Sequence, residues 1–392
     1  IAAIANRREP ENARAFRRVI HPGESFIGHG VPGLDKRGRP ASCSYSIIAS
    51  ASVGGTVCML EQAHKNLFKV GFYIRRILAL QHARLTADNA RQQMREALRG
   101  IDERTLETLL ERLGYYNRLS AASDIPAASA TLPDLHGRGS KTQILDFRHV
   151  FQAFPSHLRF DYQLGDIRAL PAVPTFLKSR PLVADNHNAI LLKINEVRHY
   201  YWRRDPYRFA EKRNSAVWRG ACHQPHRQRA LSALLAARLV DAGDVRPAAE
   251  GTPAHQPFQA PRAQMRHKFI ISLEGNDVAT NLKWIMRSNS LCLMPRPRCE
   301  SWFMEGHLRP GEHYVELPRE PEAIDAVIEH YARHDEEAHA IIRNANAFAA
   351  QFYAPAREAL LQRLVALKYF VLSGQLDVDR SLPEPVRHAL SG

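Results

Sequence analysis

Beyond about residue 180 the chain alternates short, continuous apolar runs with longer stretches whose apolar residues recur every three or four positions. The runs at 188–194, 216–218, 269–273 and 290–294 are short and apolar at successive positions, as expected of strands buried on both faces. The stretches at 227–240, 278–287, 321–332 and 335–352 carry helical spacing, and 356–372 is a Leu-rich amphipathic segment that closes the pattern. Strand and helix in turn predict an α/β domain with a parallel sheet from about Pro206 onward.

Upstream the pattern differs. Residues 61–119 read as helical, with Leu106, Leu109, Leu110 and Leu113 on one face, and the Ala-, Ser- and Pro-rich stretch 120–133 with the polar run to 140 reads as a linker or surface loop. Residues 1–62 are irregular, punctuated by Gly30, Gly33, Gly38 and Pro40. The expected organisation is an N-terminal extension over 1–62, a first domain over 63–205, a second over 206–372 and a tail over 373–392.

Composition narrows the function. Over 392 residues the net charge is +14, so the surface favours phosphate, whether on nucleic acid, an anionic membrane or a phosphorylated substrate. The excess lies in scattered Arg rather than in blocks, unlike a basic nucleic-acid-binding tail. The five cysteines, Cys43, Cys58, Cys222, Cys292 and Cys299, form no CxxC pair, which points to a reducing, cytosolic compartment without a zinc or redox motif. No secretory signal opens the chain. The uncharged stretch 41–60 has the length of a membrane span, but its Ser and Gly favour a non-inserted segment.

Four clusters carry candidate chemistry. In the first, Arg219 and Gly220 follow the apolar run ending at Trp218, and Arg227 follows a Pro-containing loop. Guanidinium groups at a strand's carboxyl end suit a diphosphate, because their planar fork donates two parallel hydrogen bonds; a structural pairing with a carboxylate fits equally. In the second, Gly275, Asn276 and Asp277 turn from a strand toward a helix bearing Lys283, where free amides and a cation favour an anion, or a plain βα turn suffices. In the third, Glu300 stands where it could accept from ribose or sugar hydroxyls, and Trp302 and Phe303 either stack on a ligand or fill the core. In the fourth, Asp166 beside Gly165 is either a general base or a turn residue. His330 and His334 lack the Glu of a zinc-protease helix, and no DxD pair follows a strand, so no metal site is expected.

Taken in order, the stretches 115–117 (Tyr-Tyr-Asn), 178–181 (Lys-Ser-Arg-Pro), 216–220 (Ala-Val-Trp-Arg-Gly), 272–284, 300–306 (Glu-Ser-Trp-Phe-Met-Glu-Gly) and 313–315 (His-Tyr-Val) resemble family 90 of the glycosyltransferases. That family includes fungal capsule-associated proteins, animal protein O-glucosyltransferases and bacterial lipopolysaccharide core proteins, the last being the nearest match. The resemblance covers roughly residues 61–372. It implies a GT-B type α/β fold, two Rossmann-like domains facing a cleft with a C-terminal helix, the acceptor on the first and the nucleotide sugar on the second. It further implies an inverting transferase without a metal or other cofactor, the nucleotide sugar, UDP-linked, serving as co-substrate. Arg219, Gly220, Arg227, Gly275, Asn276, Asp277, Lys283 and Glu300 are the implied donor-binding residues, with Lys283 where the animal enzymes carry Arg. Asp166, before Pro171-Ala172-Val173-Pro174, is the implied base, at a longer spacing than in the animal enzymes, and Asp161 is the second choice.

The expected partners are a UDP-sugar, a lipopolysaccharide core or other surface glycan, and the anionic inner face of the bacterial inner membrane, to which a cytoplasmic protein would bind peripherally. A non-catalytic carbohydrate-binding or scaffolding role on the same fold, and nucleic-acid binding, are the rival readings.

Overall fold

Two all-parallel sheets, each fed by helices, organise the chain in a computed structural model that describes residues 63, 66–78, 87–135 and 141–392. The extension over 1–62, including the stretch 41–60, lies outside the described residues.

The larger sheet comprises β5 (Arg213–Gly220), β6 (Val240–Asp244), β7 (His267–Ile271), β8 (Leu291–Met294) and β10 (Val315–Glu316), hydrogen-bonded in the order β10-β8-β7-β5-β6. Its inner strands alternate strictly between two cores. Ala216, Trp218, Phe269, Ile271, Leu291 and Leu293 join one cluster, which includes Leu231 and Leu234 of α6 (Pro225–Ala236) and Ile324 and Ile328 of α9 (Ile324–Arg333). Val217, Ile270, Cys292 and Met294 face the other, with Ile285 and Met286 of α8 (Leu282–Arg287) and Ala345 and Ala349 of α10 (Asp335–Ala350). Burial on both sides explains why these strands read as unbroken apolar runs.

Strand order reverses between β5 and β7, the first strand running outward to β6 and the rest outward to β10, which makes the crevice beyond their carboxyl ends the switch point of a doubly wound sheet.

The smaller sheet, β1 (Asp161–Tyr162), β2 (Thr175–Leu177) and β4 (Ala189–Leu191), is parallel in the order β1-β2-β4. Around it lie α3 (Glu103–Tyr116) and α4 (Lys141–Phe151), and α11 (Pro355–Leu372) packs against both of them. A two-stranded antiparallel ribbon, β3 (Ser179–Pro181) with β9 (Cys299–Ser301), joins the strand ends of one sheet to those of the other and sets Arg180 opposite Glu300. One apolar cluster runs from Leu113 and Phe147 through Trp302 to Leu364, so the core crosses the expected boundary at residue 205.

Several boundaries shift from the sequence reading. The helix expected to reach residue 240 stops at Ala236, because Val240–Asp244 forms edge strand β6. The helix expected from residue 278 begins only at Leu282, leaving 275–281 as irregular backbone. The expected tail carries α12 (Glu384–Ser391), which packs on α3 and α11 and buries Val386 and Leu390. Among the described residues, no helix is long and apolar enough to cross a membrane.

Candidate active site where the two sheets meet

Asp166 sits in the loop leaving β1, just after Gly165, whose φ of +97° lies in the region open to glycine and whose amide donates to Gln143 Oε1 at 3.0 Å. This turn presents the Asp166 carboxylate toward the larger sheet. Its Oδ1 accepts from Lys178 Nζ at 2.6 Å and its Oδ2 from Asn276 Nδ2 at 3.1 Å, so a loop of the smaller sheet touches the loop that follows β7. Lys178 also reaches Asp277 Oδ2 at 2.9 Å, and Ser179 Oγ donates to the same oxygen at 2.6 Å. Lys178 and Asp277 are buried, whereas the Asp166 side chain is 40% exposed. Burial opposes its charge, but hydrogen bonds from Lys178 and Asn276 outweigh this and hold the Asp166 carboxyl below its ordinary value. It is therefore ionised at neutral pH and open to a reactant.

Asp161 is differently placed. Its carboxylate accepts from Ser129 Oγ at 2.7 Å, and its amide donates to Tyr369 Oη at 3.2 Å, so it faces its own sheet.

The loops after β5 and β7 are bound together by Arg227. Its Nε and NH2 donate to the carbonyls of Glu274 and Leu273 at 2.8 and 2.7 Å, and its NH1 to that of Ala221 at 3.0 Å. Three carbonyls thus occupy the guanidinium. Burial pulls its pKa down from the ordinary value, and the nearby charge of Arg198 acts in the same direction. Arg198, exposed on α5 (Glu196–His199), also contributes to lowering Asp166, which places this cation within electrostatic reach of both groups. Gln224 and Arg168 both donate to Asn276 Oδ1, the former at 3.0 Å, so side chains from the loops after β5 and β1 orient Asn276. Gly220 has a steric reason to be glycine: a Cβ there would stand 2.5 Å from the rigid ring of Trp218.

The other expected donor residues are engaged elsewhere. Arg219 donates to Asp241 Oδ1 at 2.6 Å and to the Asp241 carbonyl at 2.8 Å, toward edge strand β6. Lys283 is fully buried in a pair with Glu305, whose other oxygen accepts from the Ser301 amide at 2.6 Å. Glu300 is fully buried too, bonded to Arg180 Nε at 2.7 Å and to the Tyr115 hydroxyl. Trp302 stacks on Tyr116 at 3.8 Å between ring centres and donates to Glu358 at 2.6 Å, and with Phe303 it lies in the core. Arg219, Arg227 and Lys283 therefore do not present one open cluster of cations. Arg168 and Arg198, which are exposed, and the half-buried Gln224 make up the open part, with Lys178 and Ser179 buried beneath it; sequence reasoning picked none of the five as site residues, and the Lys-Ser-Arg-Pro string was the signal that could have pointed to Lys178 and Ser179.

Beyond the carboxyl ends of β7 and β8 lies a narrow crevice lined in part by His226, Ser272, Glu274, Pro295, Arg298 and Arg319. A doubly wound sheet with such a crevice beyond its strand ends has the layout of a ligand-binding α/β domain, and the Asp166 carboxylate of the neighbouring sheet meets its β7 loop through Asn276.

Comparison with known proteins narrows the class. The profile described as Glycosyl transferase family 90 matches residues 194–355. The O-glucosyltransferase LpsA of Dichelobacter nodosus is 39% identical over 316 residues, covering 80% of this chain and 99% of that protein. The chain belongs to glycosyltransferase family 90 and is a glycosyltransferase.

Proposed function

We propose that the enzyme moves a sugar from a UDP-linked donor to a hydroxyl of a lipopolysaccharide core or other surface glycan, with inversion and without a metal ion. The observation that carries this reading is the contact between Asp166 and Asn276, a carboxylate from one sheet set against the loop at the switch point of the other. In the reaction, the acceptor hydroxyl replaces Asn276 at Asp166 Oδ2 and gives up its proton there as its oxygen attacks the anomeric carbon. The bond from that carbon to the phosphate oxygen breaks, and the nucleoside diphosphate leaves.

Negative charge then grows on the departing phosphate, and fixed donors aimed there supply a large part of the rate. The amides of residues 223–224 and 275–277, in loops held in place by Arg227, and the exposed charges of Arg168 and Arg198 are suited to that task. Lys283, Glu300 and Arg219 act behind this layer by fixing the loops. The arrangement is of GT-B type, with the smaller sheet and α3–α4 serving the acceptor and the larger sheet the donor. Glucose is the favoured sugar, since the relative is named for O-glucosyl transfer. The position is cytoplasmic, peripheral on the inner face of the inner membrane.

The test is a screen of UDP-, GDP- and other nucleotide sugars, scored by thermal shift and donor consumption with a chelator present. A UDP-sugar response is expected. A response only when a divalent cation is added overturns the metal-free mechanism, and no response to any donor overturns the reading.

A further inference from the structure

Among the described residues, the helix over 66–78, α1, meets the body through one face. Tyr73 donates to Asp146 Oδ2 at 3.4 Å, Arg76 pairs with Asp146 and, at 2.6 Å, with Glu196, and the Phe68 ring meets Tyr201 at 4.9 Å between centres. Turned away from these contacts are Leu67, Val70, Ile74, Ile77 and Leu78, which at 3.6 residues per turn fall within about 100° of the circumference. They are 40–72% exposed. A stripe of five bare aliphatic side chains on a docked helix is an unusual feature of a protein surface.

The surrounding charge indicates what covers it. From residue 62 to 87 there is no Asp or Glu, while Lys65, Lys69, Arg75 and Arg84 fall in the same segment, beside Arg76, which Asp146 and Glu196 already neutralise. Lys69 and Arg75 are exposed on the helix itself. A second copy of the chain is a poor occupant, because two-fold pairing would bring these cations against their own counterparts with no acid in the segment to offset them. Five aliphatic residues also fall short of the surface that stable protein interfaces bury, roughly 800 Å² per partner. Aliphatic and basic side chains together suit the boundary between acyl chains and anionic headgroups.

We propose that α1 lies in the surface of an anionic lipid bilayer, its Leu67–Val70–Ile74–Ile77–Leu78 stripe among the upper acyl chains and Lys69 and Arg75 at the headgroups. This deepens the peripheral placement above by naming the element that makes the contact. Through Arg76 and Glu196 the docked helix is joined to α5, which carries Arg198, so the reaction site is held close to the bilayer where a lipid-linked acceptor would be anchored.

The test is flotation of the full chain with vesicles of one part phosphatidylglycerol to two parts phosphatidylcholine, beside pure phosphatidylcholine. Binding to the anionic vesicles that weakens with salt is expected, and Val70→Ser with Ile74→Ser should reduce it on the order of tenfold or more. Light scattering and thermal unfolding of both proteins establish that the variant is folded and whether its association state has changed. Equal binding by parent and variant, equal binding to neutral and anionic vesicles, or a parent dimer that the substitutions convert to monomer would each overturn the proposal. A chain that binds vesicles as expected yet consumes no donor upholds docking and refutes the proposed reaction.

Discussion

Lys178 and Arg180 stand two residues apart at the joint of the two sheets, and each meets carboxylates, yet their surroundings differ completely. Lys178 bridges Asp166 and Asp277, and the Asp166 side chain keeps 40% of its surface in solvent. Arg180 and its partner Glu300 have no exposed side-chain surface at all. The pair Lys283–Glu305, close by in sequence to Glu300, is sealed in the same way. On the proposed reading the same residue types serve chemistry where solvent reaches the carboxylate, as at Asp166, and architecture where it does not, so accessibility, rather than charge, separates the two uses.

The sharpest way to break that distinction is Asp166→Asn. It should lower kcat by on the order of 10²–10⁴ with only a small drop in the unfolding midpoint, since Lys178 keeps Asp277 as a partner. Near-normal turnover with the true donor and acceptor would remove Asp166 as base. On the sealed side, Lys283→Met strips Glu305 of its countercharge and should cost about 3–5 kcal/mol in denaturant-measured stability, the price of a broken buried pair. If instead activity collapses while stability holds, Lys283 touches the donor and the division drawn here is wrong.

A finer probe is pH. With its folded-state value lowered, Asp166 contributes stability that is present above the ordinary carboxylate range and is lost as pH falls through the lowered value. The acid limb of kcat/KM should accordingly lie below the ordinary Asp range. Lys178→Met removes the main opposing influence to burial, so that limb should move upward; a limb that stays put would show that Lys178 does not set the base. The smallest effect is expected from Asp161→Asn, which keeps an acceptor for Ser129 and should leave kcat close to the parent value.

Much of the larger sheet could be read from the chain because its inner strands are buried on both faces and therefore apolar throughout. β6 could not, since Val240–Asp244 is an edge strand with two acids in five residues. β9 and β1 are too short to carry a period. The family's motifs fall on loops where the two sheets meet but do not distinguish open from sealed residues. Lys283 and Asn276 belong to one motif, yet the first is buried under Phe303 and the second meets Asp166, 110 positions away. Local pattern cannot report a contact over that separation, and this is also why the sequence could rank Asp166 before Asp161 but not show which of them meets the other sheet.

The β3–β9 ribbon has a consequence for motion. Parting it would leave Arg180 and Glu300 as bare charges in a dry interior, while parting Asp166 from Asn276 merely returns two solvated groups to water. Any breathing of the molecule should thus swing about the ribbon as a fixed axle and widen on the Asp166 side, so that substrates enter and products depart past groups that water already wets.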